Sequence, residues 1–194
     1  MKKGFIILAV LVVLGLIATR LVAAYNGLVD KQTRVRTAWA EVDNLLQRRN
    51  DLIPNLVETV KGFAAQEQAV FGSIAEARSK MAGATTTPER IAAGQAMDSA
   101  LGRLLVVIEN YPELRSSENF MQLQDELAGT ENRLSVGRTR YNEIVGDFNA
   151  TVRRFPTNLY AHTFNFAEEP FYPVSPEAKQ VPQVDFGQPA TPGS

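Results

Sequence analysis

The chain has 194 residues, a length that suits one domain. Its 20 Lys and Arg stand against 21 Asp and Glu, a near-neutral balance that argues against a general nucleic-acid binder. It has no cysteine and one histidine, His162, so disulfides, thiolate metal sites, cysteine nucleophiles and lipid-modified cysteines are excluded.

The chain opens with Lys2 and Lys3, then an apolar run from Gly4 to Thr19 that no charge interrupts. Arg20 follows, and then Leu21-Val22-Ala23-Ala24-Tyr25. With Arg20 snorkelling toward head groups, residues 4–24 match a bilayer core of about 30 Å, and Tyr25 falls at the interface. Residues 1–25 are therefore expected to be an uncleaved single-pass anchor. The alternative is a signal peptide cut after Val22-Ala23-Ala24. The length of the apolar run and Arg20 just before that site favour the anchor. Lys2 and Lys3 favour a cytoplasmic N-terminus and a domain on the outer face; Arg20, Lys31, Arg34 and Arg36 favour the reverse.

From residue 35 the apolar positions keep a seven-residue clock. One column reads Val35, Val42, Arg49, Leu56, Phe63, Val70, Ala77. The other reads Trp39, Leu46, Ile53, Val60, Glu67, Ile74, Met81. Alternating spacings of four and three are the seam of left-handed helix packing. The pattern predicts about 70 Å of helix over residues 35–81, with a kink or short break conceivable at Pro54, where Asp51 could cap a new start. Residues 47–60 stand out within it. They place Arg48, Arg49, Asn50 and Asp51 at the seam and Pro54 in the helix interior. A polar residue in a seam often sets register or partner, so these residues are expected to bond to polar groups of a later helix or a neighbouring subunit, Glu131 and Asn132 among them.

Gly83 to Pro88 marks a stop and restart, with Thr87 a suitable N-cap and Pro88 the first helical position. The next helix carries Ile91, Met97, Leu101, Leu104, Leu105 and Ile108 and ends near Tyr111-Pro112. A third pattern runs over residues 117–155, with the column Phe120, Leu127, Leu134, Tyr141, Phe148, Phe155. Gly129, Gly137 and Gly146 suggest close helix approach there. Phe155-Pro156 ends the pattern, and residues 157–166 can hold one short turn folding aromatics back on the bundle. Residues 165–194 hold Pro170, Pro173, Pro176, Pro182, Pro189 and Pro192. A packed helix or sheet is excluded there, leaving a disordered tail or an extended segment docked through Phe171 and Tyr172. No stretch alternates with period two. The expected fold is all-α: a transmembrane helix, an elongated antiparallel bundle over residues 26–164, and a proline-rich tail.

Chemistry is scarce. Glu109, Glu113, Glu118, Asp125, Glu126 and Glu131 read as solvated faces and helix-terminus charges, and no Glu-x-x-His pair exists for a di-iron bundle. There is no glycine-rich phosphate loop, and a lone His162 beyond the bundle gives no support to a Ser/His/Asp triad. No catalytic, cofactor or metal site is expected, and no cofactor. Arg34, Arg36, Arg48 and Arg49 are read as pairing with acids on neighbouring helices, with lipid phosphate as the alternative.

Several motifs together carry a resemblance. Tyr25-Asn26 with Leu28-Val29, Ala38-Trp39 with Val42-Asp43, and the stretch from Gln47 to Phe63 resemble the LemA family. So do Ala77-Arg78, Glu109-Asn110-Tyr111-Pro112-Glu113-Leu114-Arg115, Thr130-Glu131-Asn132-Arg133, Arg140-Tyr141-Asn142 and Phe155-Pro156. The resemblance covers roughly residues 1–166. It implies a bacterial, single-span, helical inner-membrane protein with no established enzymatic activity. Related members occur in magnetosome membranes, and others are encoded beside a membrane zinc metalloprotease. The expected function is a non-enzymatic, membrane-anchored scaffold that self-associates into homo-oligomers and organises or shapes membrane. The alternative is an adaptor or regulator of a membrane-bound protease or signalling system.

Overall fold

A computed structural model describes residues 2–173 and is all-α. Of the prolines expected to disrupt the tail, Pro176, Pro182, Pro189 and Pro192 lie outside the described residues. The helices are α1 (Lys2–Lys61), α2 (Gln68–Gly83), α3 (Thr87–Ile108), the short α4 (Pro112–Arg115), α5 (Glu118–Arg153) and α6 (Thr157–Thr163). The anchor and the first bundle helix are one element. The helix α1 crosses Ala24 and Tyr25 without a break, 60 residues and about 90 Å long.

The single helix expected over residues 35–81 is two. The chain passes through Pro54 as α-helix and breaks at Gly62 instead. Pro54 removes the donor that would meet the Asn50 carbonyl, but Ile53, Leu56 and Val60 on either side are buried, and that packing outweighs a local loss of about 3 kcal/mol. At Gly62 propensity and packing fail together. Phe63 is 43% exposed, while Ala64 tucks into the core and its N–H donates to the Val60 carbonyl. Glu67 interrupts the column because it is the N-cap residue of α2, and its carboxylate accepts from the Tyr111 hydroxyl at 3.2 Å. The seven-residue clock resumes in α2 only because that helix has its own buried face, Phe71, Ile74, Ala77 and Met81.

Consequently the bundle has four long helices. From the α1 side, α1 runs away from the anchor, α2 returns, α3 runs out again and α5 comes back. Phe71 and Ile74 share a core with Val60, whereas Met81 shares one with Val42 and Leu46. Arg90 on α3 clamps Asp43 on α1 with two bonds of 2.6 and 2.9 Å and also donates to the Met81 carbonyl, tying the α2–α3 turn to α1. That turn is set by a capping box: Thr86 caps α3 and Glu89 reaches back to it, one residue earlier than the expected Thr87.

The cross-bundle pairs Lys31–Asp147, Glu41–Arg140 and Arg49–Glu131 fix the antiparallel register of α1 and α5. Val42, Leu46, Leu134, Tyr141, Val145 and Phe148 are buried between them. Of the three glycines expected to permit close approach on α5, Gly137 alone faces α1, against Leu45 and Val42. Phe155 falls beyond the helix end and is 75% exposed. After α6, Asn165 adopts a left-handed conformation (φ 58°), which asparagine tolerates, and the chain turns back along α5 as an extended strap through Pro173.

Candidate functional site

The middle of the bundle is organised by one arginine. Arg49 lies in the α1 seam and is 2% exposed, which an unpaired charge cannot sustain. Two helices supply what it needs. Its Nη1 donates to Asp98 Oδ1 on α3 at 2.5 Å and to Glu131 Oε2 on α5 at 2.6 Å, and its Nη2 donates to the Gly94 carbonyl at 3.2 Å. Arg138, two turns along α5 from Glu131, closes the figure at 3.2 Å from Asp98 Oδ2 and 3.3 Å from Glu131 Oε1. Two guanidiniums and two carboxylates thus balance in charge. Burial works against the Arg49 cation, but Asp98 and then Glu131 outweigh it and hold its pKa above the ordinary arginine value.

Tyr172 of the strap caps this cluster. Its ring lies under Arg138, with the guanidinium carbon 4.5 Å from the centroid, and it is 2% exposed. The ring fits because Gly94 has no side chain. A Cβ there would lie 2.5 Å from the Tyr172 hydroxyl and 3.1 Å from Leu46 Cδ2. The strap is held above Tyr172 by backbone pairing to side chains of α5. Asn149 donates to the Glu169 carbonyl and accepts its N–H, both at 2.9 Å; Asn142 does the same with Tyr172, both at 2.8 Å. Between them the Tyr141 hydroxyl donates to the Pro170 carbonyl at 2.8 Å. Burial, with the nearby Glu169 charge, pushes the Tyr141 phenol up to about 12. Burial raises the Tyr172 phenol as well.

Beside the cluster an open groove of about 820 Å³ runs between α3 and α5. Leu101, Leu105, Val106 and Leu127 give it apolar walls, and Arg49, Asp98, Glu131 and Arg138 form its charged end. Both carboxylates there are engaged by guanidiniums. Among the described residues no group of three or more His, Asp or Glu is arranged to hold a metal ion.

The stretch read from the sequence therefore divides. Arg49 and Glu131 meet directly. Arg48 is exposed, with no hydrogen bond or ion pair among the described residues. Asp51 is exposed and accepts from Gln47 within α1 at 2.9 Å. The half-buried Asn50 has no hydrogen-bond partner for Oδ1 among the described residues, and Pro54 stays inside α1. Asn132 lies on another face of α5, lining a shallow groove with Glu41, Asn44, Leu45, Arg133 and Val136, because one residue along a helix is a 100° turn away from Glu131. Asp98, Arg138, Gly94 and Asn149 escaped the sequence reading, whereas Tyr172 was named there as a docking residue of the tail and Asn142 only within a family motif. Asp98 carried a usable signal: it follows Ile91 by seven residues and precedes Leu105 by seven, the lone charge in that column, as Arg49 is in its own. Asn142 and Asn149 share that spacing. Nothing local distinguishes Arg138 from the solvated arginines around it.

The LemA family model matches residues 38–186, beginning later and reaching further into the tail than the resemblance over residues 1–166. The chain is 26% identical over 199 residues to magnetosome protein MamQ 2 of Paramagnetospirillum magneticum, covering 89% of this chain and 73% of the relative. It is 24% identical over 192 residues to magnetosome protein MamQ of Magnetospirillum gryphiswaldense, covering 84% and 71%. It is 24% identical over 187 residues to protein LemA of Metamycoplasma hominis, covering 95% and 83%.

Proposed function

We propose, from the premise that this chain belongs to the LemA family, that it is a membrane-anchored, non-enzymatic helical scaffold that self-associates and organises or shapes membrane. The observation that carries this reading is the unbroken α1. Its apolar segment over residues 4–23 is exposed throughout or nearly so, while α3, also apolar enough to cross a bilayer, is wrapped into the bundle. One rigid helix thus joins a membrane-spanning stretch to the bundle with no linker. Any force or contact on the bundle is delivered to the bilayer through that helix. Lys2 and Lys3 support an N-terminus inside and a bundle on the outer face of a bacterial inner membrane, against the opposing Arg20, Lys31, Arg34 and Arg36.

A second copy is the partner that the α3–α5 groove fits. Leu105 and Val106 are 46% and 65% exposed on its lip, an apolar surface that a monomer leaves uncovered. The Arg49 cluster forms the charged end of this groove, and its ion pairs close within one chain. Because the chain has no cysteine, V106C gives a single reactive thiol. A disulfide-linked dimer formed in membranes supports self-association. A detergent-extracted protein that stays monomeric at every concentration, with no V106C cross-link in the membrane, overturns it.

The strap favours a second reading, an adaptor or regulator of a membrane-bound protease or signalling system. Asn142 and Asn149 bind backbone amides, so they grip an extended segment whatever its side chains. Capture of a membrane protease that is lost in N142A/N149A supports this reading; unchanged capture removes the strap from it.

A further inference from the structure

The end of the bundle nearest the anchor exposes large apolar side chains where a water-soluble surface would bury them. Phe155 after α5, Leu159 on α6 and Phe164 after α6 are 75%, 62% and 50% exposed. Their height in the molecule is fixed by two independent contacts. The register set by Lys31–Asp147 and Glu41–Arg140 brings Phe155 opposite the Ala24–Tyr25 level of α1. The Tyr25 ring packs edge-on against Phe164 at 5.1 Å and Phe166 at 5.8 Å. Phe166 is the buried member of this set and serves as its root, its N–H donating to the Ala161 carbonyl. Tyr25 is the first residue beyond the apolar run, so in a spanning α1 whatever touches it lies at head-group depth.

We infer that Phe155, Leu159 and Phe164 form a foot that inserts into the lipid interface beside α1, giving the bundle a second, shallow hold on the same leaflet. The inference rests on the reading of residues 4–24 as the membrane span. The occupant is a lipid surface because the patch continues the apolar surface of α1 past Tyr25 and is bordered by the exposed Arg154, whose charge suits anionic head groups, while its neighbour Arg153 pairs with Glu168 at 3.6 Å. Aromatic side chains settle at this depth, and each large apolar group moved out of water favours the inserted state. Two holds fix an orientation where one permits swivelling. The bundle axis is then set against the membrane plane by α1 and α6 together.

Fluorescence depth measurement on the full chain tests this. The sole tryptophan is replaced (W39F), and single tryptophans are placed by L14W, F164W and V106W in vesicles of phosphatidylcholine and phosphatidylglycerol brominated at shallow or deep acyl positions. The expected result is deep quenching of L14W, shallow quenching with blue-shifted emission for F164W, and no quenching of V106W. Adding F155S and L159S, both exposed, leaves the helical melting curve unchanged and reduces the F164W quenching. F164W unquenched while L14W is quenched overturns the foot and leaves the span intact. L14W unquenched overturns the span and the foot with it.

Discussion

Around Glu131 and Arg138, α5 is joined to α1 and α3 by four full charges; around Asn142 and Asn149, about three turns away, it is joined to the strap by neutral amides. Both regions solve the same problem, that of bringing polar groups into a helix seam with partners for most of them; Arg138 Nε and the Tyr172 hydroxyl are exceptions among the described residues. The charged solution is directional and unforgiving. Desolvating Arg49 gives up much of what its ion pairs return, so the cluster contributes little net stability but makes any other register of α1, α3 and α5 costly. The amide solution carries a small desolvation penalty and reads only backbone. It suits a segment that is added after the helices are aligned. The bundle therefore fixes its register with charge and fastens its strap with amides.

Breaking the charged region has the largest expected effect. R49A leaves Asp98 and Glu131 facing a void with Arg138 alone between them and is expected to cost about 3–5 kcal/mol in urea unfolding. The contrast sharpens with R49L/D98L, which leaves Arg138–Glu131 as a balanced pair and recovers most of that loss. If the double variant is as unstable as R49A, charge balance is not what the cluster supplies. Next comes the joint between the two regions. G94A drives a methyl group against the Tyr172 hydroxyl and Leu46, an overpacking worth about 1–3 kcal/mol. Expulsion of the strap is expected with it, seen as faster amide exchange at Glu169 and Tyr172.

In the amide region, N149A leaves the Glu169 N–H and carbonyl without their partner, at about 1–2 kcal/mol. Here the loss is confined to the strap, and exchange at Arg49, Asp98 and Glu131 should stay unchanged. The smallest effect is at Tyr141. Y141F removes one hydrogen bond to Pro170, about 1 kcal/mol at neutral pH. The folded protein keeps this phenol neutral, its pKa raised from 10 to about 12. Its contribution is therefore complete below pH 10 and is lost as pH rises from 10 to 12. Stability of the parent falls through that window, and the fall is shallower in Y141F. An identical profile in the two proteins would show that the strap contact is not coupled to phenol ionisation.

Much of this architecture was legible without coordinates. The apolar run of residues 4–24, the heptad columns and the stop at residues 83–88 each follow from near-neighbour chemistry: burial of a stripe, a missing N–H, a fixed φ. The same chemistry made Arg49 conspicuous and directed it to Glu131. The columns also misled. They continue through Phe63 and Glu67, and spacing alone does not distinguish one long helix from two antiparallel ones whose buried faces happen to stay in phase. Whether Pro54 or Gly62 ends α1 depended on packing that only the folded chain supplies.

What the sequence determined by itself is the class of the protein: an apolar N-terminal helix long enough to span a bilayer, an all-α bundle and a polar device in the first seam. These are properties of short windows, where one or two helical turns decide the energy. The tertiary structure alone decided that the bundle has four long helices, that Asp98 and Arg138 complete the Arg49 cluster, that the strap folds back to seat Tyr172 over Gly94, and that Phe164 rests on Tyr25. Each of these joins residues tens of positions apart in the chain. Their contact depends on the register of whole helices, and register is a sum over many weak contacts that no single stretch contains.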